Sequence, residues 1–328
     1  MEDTIVSVGV DVSAKQLDIA YLRKDGRIDR QKVTNSTIGY KEYIRLYQKK
    51  CSASSASVIV ESTGGYHLGL AFFLQKNMIP VYVINPLISS GYHKMTIRKT
   101  KTDTTDAQRL ARIGVSGVKL YPFHQTEAEI LVKKITRMRS MYLKLQQRLK
   151  VSINQMMDLR DMTGIDISQQ LKILNHTYDS LKHTVKTLNE LLVQQAAKLY
   201  DMEHIGKIPG VSQASLAGIL TEMGDMKRFK TAKQAVAYAG LDPSVCESGT
   251  SVHQASRLSK RGSPTLRGIL FHVAWGLMMK NQLFTDFYKK KRREGKHYYT
   301  CLIAIARKFL TQLFYVIKHN LIFNSHSP

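Results

Sequence analysis

The segment "TIVSVGVDVSAKQLDIAYLRKDGR", residues 4–27, predicts the start of a β-sheet domain. Its first half is β-branched and apolar, as in a buried strand, and Asp11 stands at the end of that strand. An Asp-Gly pair near the end of the segment is a typical hairpin signal. We therefore predict a meander made of a strand at 4–10, a second strand at 17–23 and a third near 30–34.

Beyond the meander, helical and strand patterns alternate. The predicted elements are a helix at 38–50, the strand "ASVIVES" at 56–62, a helix at 66–76, the strand "PVYVINP" at 80–86 and a helix that begins near 102. Strands followed by β-α alternation indicate an α/β domain with a mixed sheet. We expect this domain to span residues 1–124.

The whole chain is strongly basic. Its 328 residues include 49 Lys and Arg against 25 Asp and Glu, a formal net charge of +24. Such an excess indicates a polyanionic partner, most often nucleic acid. The three cysteines lie far apart without a C-x-x-C pair, which excludes a disulfide framework and a zinc site of that type. We expect a cytoplasmic protein with no membrane span.

Residues 125–200 carry two apolar heptad seams. Ile135, Met138, Tyr142, Leu145 and Leu149 form the first, and a second runs from Leu171 to Leu192. The segment "DMTGID" at 161–166 separates them. The pattern predicts an antiparallel coiled-coil hairpin, whose seams pack within the chain or, as we favour, also against a second copy.

The last region, 201–328, is predicted to be mostly helical. "IPGVS", with Gly210 at a tight turn, resembles a helix-hairpin-helix element, although an ordinary corner between two helices has the same pattern. A helix that starts after such a turn can hold a phosphate on its free N–H groups. Two apolar helices are expected at 264–280 and 298–318. Between them, "KKKRREGK" at 289–296 is expected to contact phosphates, unless it is a solvated loop.

Four carboxylates stand at positions that favour metal binding. Asp11 and Glu61 end two strands, and Asp103 and Asp106 are three residues apart, on one face of a helix. One sheet can bring such groups together, and Mg²⁺ prefers oxygen ligands. Two Mg²⁺ ions ~4 Å apart can clamp a phosphate during in-line displacement. Each acid alone could instead cap a turn or a helix.

Several of these segments carry a family resemblance. "VGVDVSAKQLDIAYL", "VIVESTGGY", "VYVINP" and "KTDTTDAQRLA" resemble the RuvC-like, RNase H-fold domain of DEDD-type insertion-sequence transposases, family number one hundred and ten. "IPGVSQASLAGILTEMGD", "YAGLDPS" and "ESGTSVHQASRLSKRGSPTLRGIL" resemble the C-terminal transposase domain of the same family. The resemblance covers about residues 1–320, with the motifs in family order.

The resemblance implies a recombinase with a serine nucleophile, which falls on Ser248 in "ESGTS". Composition alone selects no single hydroxyl in 244–263, and the thiol of Cys246 is an alternative nucleophile. Basic side chains nearby, Arg257, Lys260 and Arg261, could neutralise the transition state. The resemblance also implies a structured guide RNA, the bridge RNA, that pairs with donor and target DNA.

The implied reaction uses residues from both the N-terminal and the C-terminal part of the chain. The four carboxylates hold Mg²⁺ on the phosphate, and Ser248 attacks phosphorus to form a 5′-phosphoserine link. Strand exchange needs at least two active sites, hence a homo-dimer or homo-tetramer. The residues expected to bind nucleic acid are Arg98, Lys99, Lys101, Arg257, Lys260, Arg261, Lys289, Lys290, Lys291, Arg292 and Arg293.

Other classes of protein fit parts of the sequence. A RuvC-like Holliday-junction endonuclease would use the same four acids with a metal-activated water, and a non-catalytic nucleic-acid-binding protein would leave them idle. A sugar-kinase or actin-like ATPase shares the strand-Asp-turn-strand start, but "ESTGGY" matches its second phosphate loop only in part. A tyrosine recombinase is excluded, because none of the eleven His has Arg three residues later.

Overall fold

The computed structural model describes residues 4–51, 56–62, 65–95, 103–243, 258–260 and 262–323. The chain divides into two compact units, Met1–Gln125 and Thr126–Pro328. The proposed separation of a hairpin, 125–200, from a C-terminal domain, 201–328, stays a prediction.

The first unit is built on one five-stranded sheet. The strands are β1 (Ile5–Val12), β2 (Gln16–Arg23), β3 (Ile28–Thr34), β4 (Ser57–Glu61) and β5 (Val81–Ile84). Their order across the sheet is β3-β2-β1-β4-β5. The first three strands form an antiparallel meander, and β4 and β5 run parallel to β1. The predicted meander and the two later strands agree with this sheet.

Helices cover both faces of the sheet. They are α1 (Thr37–Lys50), α2 (His67–Lys76), α3 (Pro86–Met95) and α4 (Asp103–Ile113). On one face, the apolar side chains of Val8, Val10 and Val60 pack in a core with α1 and α2. On the other face, Ala20 and Ile59 pack in smaller clusters with α4. Helix α3 was not predicted from the sequence.

This topology is that of an RNase H-like domain. An antiparallel meander of three strands is followed by two parallel strands on the far side of β1. The predicted fold class, an RNase H-like domain followed by a mostly helical region, is therefore confirmed.

The second unit is helical. Its helices are α5 (Glu127–Thr163), α6 (Ser168–Ala196), α7 (Met202–Ile205), α8 (Gln213–Met223), α9 (Ala232–Tyr238), α10 (Pro264–Lys280), α11 (Gln282–Arg293) and α12 (Tyr298–Lys318). One apolar core joins the base of α5 and α6 to the C-terminal helices, and Leu192, Leu220 and Phe309 lie within it. The basic stretch 289–293, which was expected between two helices, forms the end of α11.

The hairpin of α5 and α6 forms as predicted, but one seam was misplaced. The α6 seam is correct, since Val185, Leu188 and Leu192 are buried. In α5, however, Met138 and Leu145 are 46% and 41% exposed. Arg139 takes the inward position instead, and its Nε donates a 2.5 Å hydrogen bond to Asn189 Oδ1 of α6. A polar pair of the buried Arg139 and the half-buried Asn189 thus replaces an expected apolar contact.

The turn at Gly210 brings two backbones together. Gly210 has φ of +89°, and a Cβ atom there would overlap the carbonyl oxygen of Gly276 in α10. The reverse overlap holds for Gly276 and the Gly210 carbonyl. Ser212 caps the start of helix α8, and its side chain accepts a hydrogen bond from the Ser215 N–H. Helix α7 on the other side has only four residues.

Within the described part of the chain, α12 alone is long and apolar enough to cross a membrane, by length and composition. Half of its apolar window is buried inside the protein. Phe309, Leu310 and Leu313 on this helix are fully buried in the core of the second unit. Such burial is typical of the core helix of a globular protein.

Candidate active site

Charged side chains form a row across the sheet near the carboxyl end of β1. Asp11 pairs with Asp18 of β2, and Asp18 pairs with Lys32 of β3. On the other side of β1, the last register pair with β4 is Val10–Val60, so Asp11 and Glu61 follow at the same level. Side chains at the same level of neighbouring strands point to the same face. Asp11 and Glu61 therefore share one face and one edge of the sheet.

Helix α4 lies on that same face. A Cβ atom at Gly9 would overlap the carbonyl oxygen of Ala107, and one at Gly114 would overlap the Ser7 hydroxyl. The end of α4 is therefore near Ser7, and its middle lies over Gly9. Because the helix runs opposite to β1, its first turn points toward Asp11, about 7 Å further along the strand from Gly9.

The first turns of α4 carry the other two predicted carboxylates. Asp103 is the first residue of the helix. Asp106 directly precedes Ala107, the residue that packs over Gly9, and it is partly buried. Arg109 Nη2 lies 2.7 Å from Asp106 Oδ1 in an ion pair one turn apart. A metal ion at Asp106 would compete with this guanidinium for the carboxylate oxygen.

Glu61 has a hydroxyl partner that sequence patterns did not indicate. Ser89 of α3 is 3% exposed, and its Oγ contacts Glu61 Oε2 in a short hydrogen bond. The same Oγ lies 3.0 Å from the Pro86 carbonyl oxygen. Helix α3 therefore fixes one oxygen of Glu61. In the sequence, the only indication of this contact with Glu61 is that Ser89 follows shortly after strand β5.

Asp18 is a further carboxylate at this edge that the sequence reasoning missed. Its Oδ1 lies 2.9 Å from Lys32 Nζ, and the Asp18 side chain is 13% exposed. The alternation of side chains along β2 could have indicated Asp18. Asp18, Ala20 and Leu22 share the face of the sheet on which Asp11 lies. The ion pair with Lys32 balances one of the negative charges beside Asp11.

The donors fit Mg²⁺ by type, because carboxylate oxygens are its usual protein ligands. Among the side chains that the structure describes, no three Asp, Glu, His or Cys groups lie close enough together to hold one metal ion. The structure thus brings Asp11, Glu61 and the start of α4 to one edge of the sheet, without a closed ligand cage.

Several predicted site residues lie outside the described residues: Ser248, Arg257, Arg261, Arg98, Lys99 and Lys101. Lys260 is described, and its φ of +53° lies in the left-handed region, which is rare for a residue with a side chain. In α11, Lys291 Nζ forms a 2.8 Å ion pair with Glu294. The neighbouring Lys289 and Lys290 are exposed.

The RNase H-like sheet with carboxylates at the ends of β1 and β4 defines a class of protein: nucleases and recombinases that act on nucleic-acid phosphates. Two family models match the chain. Residues 8–160 match a model described as "Transposase", for DEDD transposases of IS110, and residues 202–289 match "Transposase IS116/IS110/IS902 family". The chain belongs to the IS110 family of transposases and is a DNA transposase or recombinase.

Individual relatives agree with this assignment. The chain is 27% identical over 325 residues to a pilin gene-inverting protein of Moraxella lacunata, covering 95% of this chain and 96% of that protein. It is 23% identical to the transposase for insertion sequence element IS1111A of Coxiella burnetii, covering 76% and 74%.

The chain is also similar to a solved structure, T. thermophilus RuvC in complex with a Holliday junction substrate. It is 12% identical and covers 36% of this chain and 99% of that one, with a TM-score of 0.27. The assignment of the first unit as an RNase H-like domain therefore depends on its strand order, β3-β2-β1-β4-β5.

Proposed function

We propose that this transposase cuts and rejoins DNA strands through a 5′-phosphoserine intermediate on Ser248. Its metal ligands are Asp11, Glu61, Asp103 and Asp106. The observation that supports this most strongly is the geometry of the sheet edge, where Asp11 and Glu61 stand level on neighbouring strands and α4 points its first turn toward them. Bound Mg²⁺, as two ions, would supply charge neutralisation at the scissile phosphate.

The chain's own groups carry the remaining chemistry. The Ser248 oxygen forms a bond to phosphorus, and the bond to the 3′ oxygen breaks, so that the leaving strand keeps the electron pair and takes up a proton as a 3′-hydroxyl. In the second step, that hydroxyl attacks the phosphoserine of the other duplex and releases Ser248. The phosphodiester energy is kept in the covalent link, so no ATP is needed. Arg257, Lys260 and Arg261 would neutralise the developing charge.

The proposed partners follow from the same reading. Donor and target DNA are held by Arg98, Lys99, Lys101 and the basic end of α11, Lys289–Arg293, and a bridge RNA guides both. The active form is a homo-dimer or homo-tetramer in the bacterial cytoplasm, in which a partner subunit supplies Ser248 to the carboxylates. The excess of 49 basic over 25 acidic residues supports polyanionic partners.

The first test separates serine attack from attack by water. Cleavage reactions on DNA carrying the element ends are stopped with denaturant, and the adducted peptide is mapped by mass spectrometry. The wild-type chain should leave protein attached to a 5′ end at Ser248. Ser248→Ala should lose the adduct and recombination but keep DNA binding, since binding depends on many Lys and Arg contacts. Ser251→Ala in the same segment is the matched control and should keep both.

The carboxylates are tested separately. Asp11→Asn should abolish cleavage and weaken Mg²⁺ binding in calorimetry, while the melting temperature stays close to that of the wild type. Mixed Asp11→Asn and Ser248→Ala chains should regain strand cleavage and the adduct but not recombination, because each mixed pair keeps one intact site and strand exchange needs two. Free 5′-phosphate ends without an adduct would support the junction-nuclease alternative, and an adduct on Cys246 or Ser251 would overturn the Ser248 assignment.

A further inference from the structure

A cavity of about 230 Å³ lies in the second unit between α10 and α12. Its walls include the apolar side chains of Leu241 and Ile303 and the ring of Phe271. At Gly268 no side chain intrudes, and a Cβ atom there would meet nothing within 4 Å. The ring of Phe271 is therefore part of the cavity wall, and Gly268 leaves open space on the same helix.

An aromatic array extends from the cavity to the surface. The rings of Phe271 and Tyr299 are stacked, with centroids 6.0 Å apart and an interplanar angle of 26°. Tyr299 is in turn stacked with His297, with centroids 5.6 Å apart and an angle of 30°. Tyr299 is 57% exposed. Phe271 and His297 hold the ring of Tyr299 in place, and more than half of its surface stays open to a ligand.

Two cations line the same cavity, Lys260 and Arg267, and none of the described residues in its wall is acidic. The segment before Lys260 is fixed, because the Ser259 N–H donates a 2.9 Å hydrogen bond to the Asp242 carbonyl oxygen and the Ser259 hydroxyl contacts the Asp242 carboxylate. Lys260 itself is held at a φ of +53°. Arg267 Nη1 donates a 2.5 Å hydrogen bond to the Gly262 carbonyl oxygen.

A left-handed backbone in a residue with a side chain costs free energy and persists where the surroundings require it, often at binding sites. The strained residue here is the one that brings a positive charge to an apolar, aromatic cavity. Aromatic rings with adjacent cations are the combination by which proteins bind unpaired nucleotides, since every base has a face that can stack.

We propose that one unstacked nucleotide of a DNA strand binds at this cavity, with its phosphate at Lys260 and Arg267 and its base against the aromatic array that runs from Phe271 in the cavity wall to Tyr299 at the surface. A DNA recombinase handles strands whose ends are briefly unpaired, which favours DNA as the occupant. The inference depends on the recombinase class of the chain, and it requires neither Ser248 nor the metal ligands proposed above. Lys260 enters both proposals, but Tyr299 enters only this one, so a failure at Tyr299 would leave that mechanism untouched.

The test uses the full chain, freed of nucleic acid, and a single-stranded DNA oligonucleotide that carries one 2-aminopurine. Tyr299→Ala should weaken binding of this strand about tenfold, the usual effect of losing one base stack. It should also remove the change in 2-aminopurine fluorescence on binding. Lys260→Asn should weaken binding too, since Asn tolerates the left-handed backbone but carries no charge. Affinity for duplex DNA should change far less in both variants.

Tyr315→Ala is the matched control, because Tyr315 is a 49% exposed tyrosine on the same helix that stacks on His319 instead. It should bind like the wild type.

Phe271→Leu adds a second test of the cavity itself, and a melting curve shows whether that variant folds. The proposal is wrong if Tyr299→Ala leaves single-stranded binding unchanged, or weakens duplex binding equally. Tighter, Tyr299-dependent binding of the same sequence as RNA would overturn the choice of DNA.

Discussion

At the scale of single residues, the carboxylate of Glu61 depends on a neighbour, Ser89. The hydroxyl of Ser89 is buried, and it contacts Glu61 Oε2 from the second turn of α3. A ligand whose orientation is fixed by an outer hydrogen bond binds metal more tightly than one that rotates freely. Ser89 therefore acts as a positioning residue for the proposed site.

Ser89→Ala should weaken both Mg²⁺ affinity and strand cleavage by about 10- to 100-fold, the usual effect of losing such a partner. The free energy of unfolding should fall by only about 1 kcal/mol, because one hydrogen bond is lost. Calorimetry with Mg²⁺ and a cleavage assay measure the first effect, and thermal melting the second. Ser90→Ala, at the exposed neighbouring position, is the control. Equal Mg²⁺ affinity in the two variants would show that Ser89 has only a structural role.

At the scale of elements, the two seams of the helical hairpin differ in how far the sequence predicts them. On α6, apolar residues occur at heptad spacing and Leu188 is indeed buried. On α5, the same rule selected Met138, yet Arg139 faces the partner helix and bonds to Asn189. A rule based on apolar spacing cannot predict that Arg139 faces the partner helix. The inward position of Arg139 is explained only by its hydrogen bond to Asn189, which the sequence does not reveal.

The sheet and its edge were more predictable. Asp11 and Glu61 were expected at strand ends from β-branched runs alone, and the strands form there. Helix α3 was missed because its sequence, "PLISSGYHKM", combines Pro, Ser and Gly, which favour turns. Without α3, the contact of Ser89 with Glu61 could not be foreseen. Asp18 was overlooked for a related reason, since its neighbours across the sheet are known only from the strand register.

Leu188→Glu tests the α6 seam. A charged side chain in this buried position should lower the free energy of unfolding by about 3 kcal/mol, through lost apolar burial and an unpaired charge. It should also disturb assembly if the hairpin joins two copies, which a mass measurement in solution detects. Ile173→Glu is the control on the same helix, because Ile173 is 61% exposed. Melting curves that are identical for the two variants would contradict the seam.

At the scale of the whole molecule, the net charge of +24 makes nucleic-acid binding sensitive to salt. The basic residues of α11 are not equivalent in this respect. Lys291 is paired with Glu294, and Arg292 Nη1 donates a 2.9 Å hydrogen bond to the Lys296 carbonyl oxygen. Lys290 is exposed on the same helix. We therefore expect Lys290 to contribute more to phosphate contacts than Lys291.

Lys290→Ala should weaken DNA binding for all sequences alike and reduce the slope of log affinity against log salt by about 1, the value for one phosphate contact. Lys182→Ala, at an exposed position on α6, should leave the slope unchanged. The measurement is a series of binding titrations between low and physiological salt. If both variants give the wild-type slope, the basic end of α11 is not a phosphate contact.

The crossing of Gly210 and Gly276 has a consequence for how the second unit can evolve. Each glycine leaves room for the other's carbonyl oxygen, so that a methyl group on either one overlaps backbone atoms. A steric conflict between two side chains can be relieved by shrinking one of them, but neither partner here has anything left to shrink. No second substitution at the partner position can rescue the first. Both positions should therefore stay glycine, and any descendant that replaces one of them must first move the "IPGVS" turn away from α10.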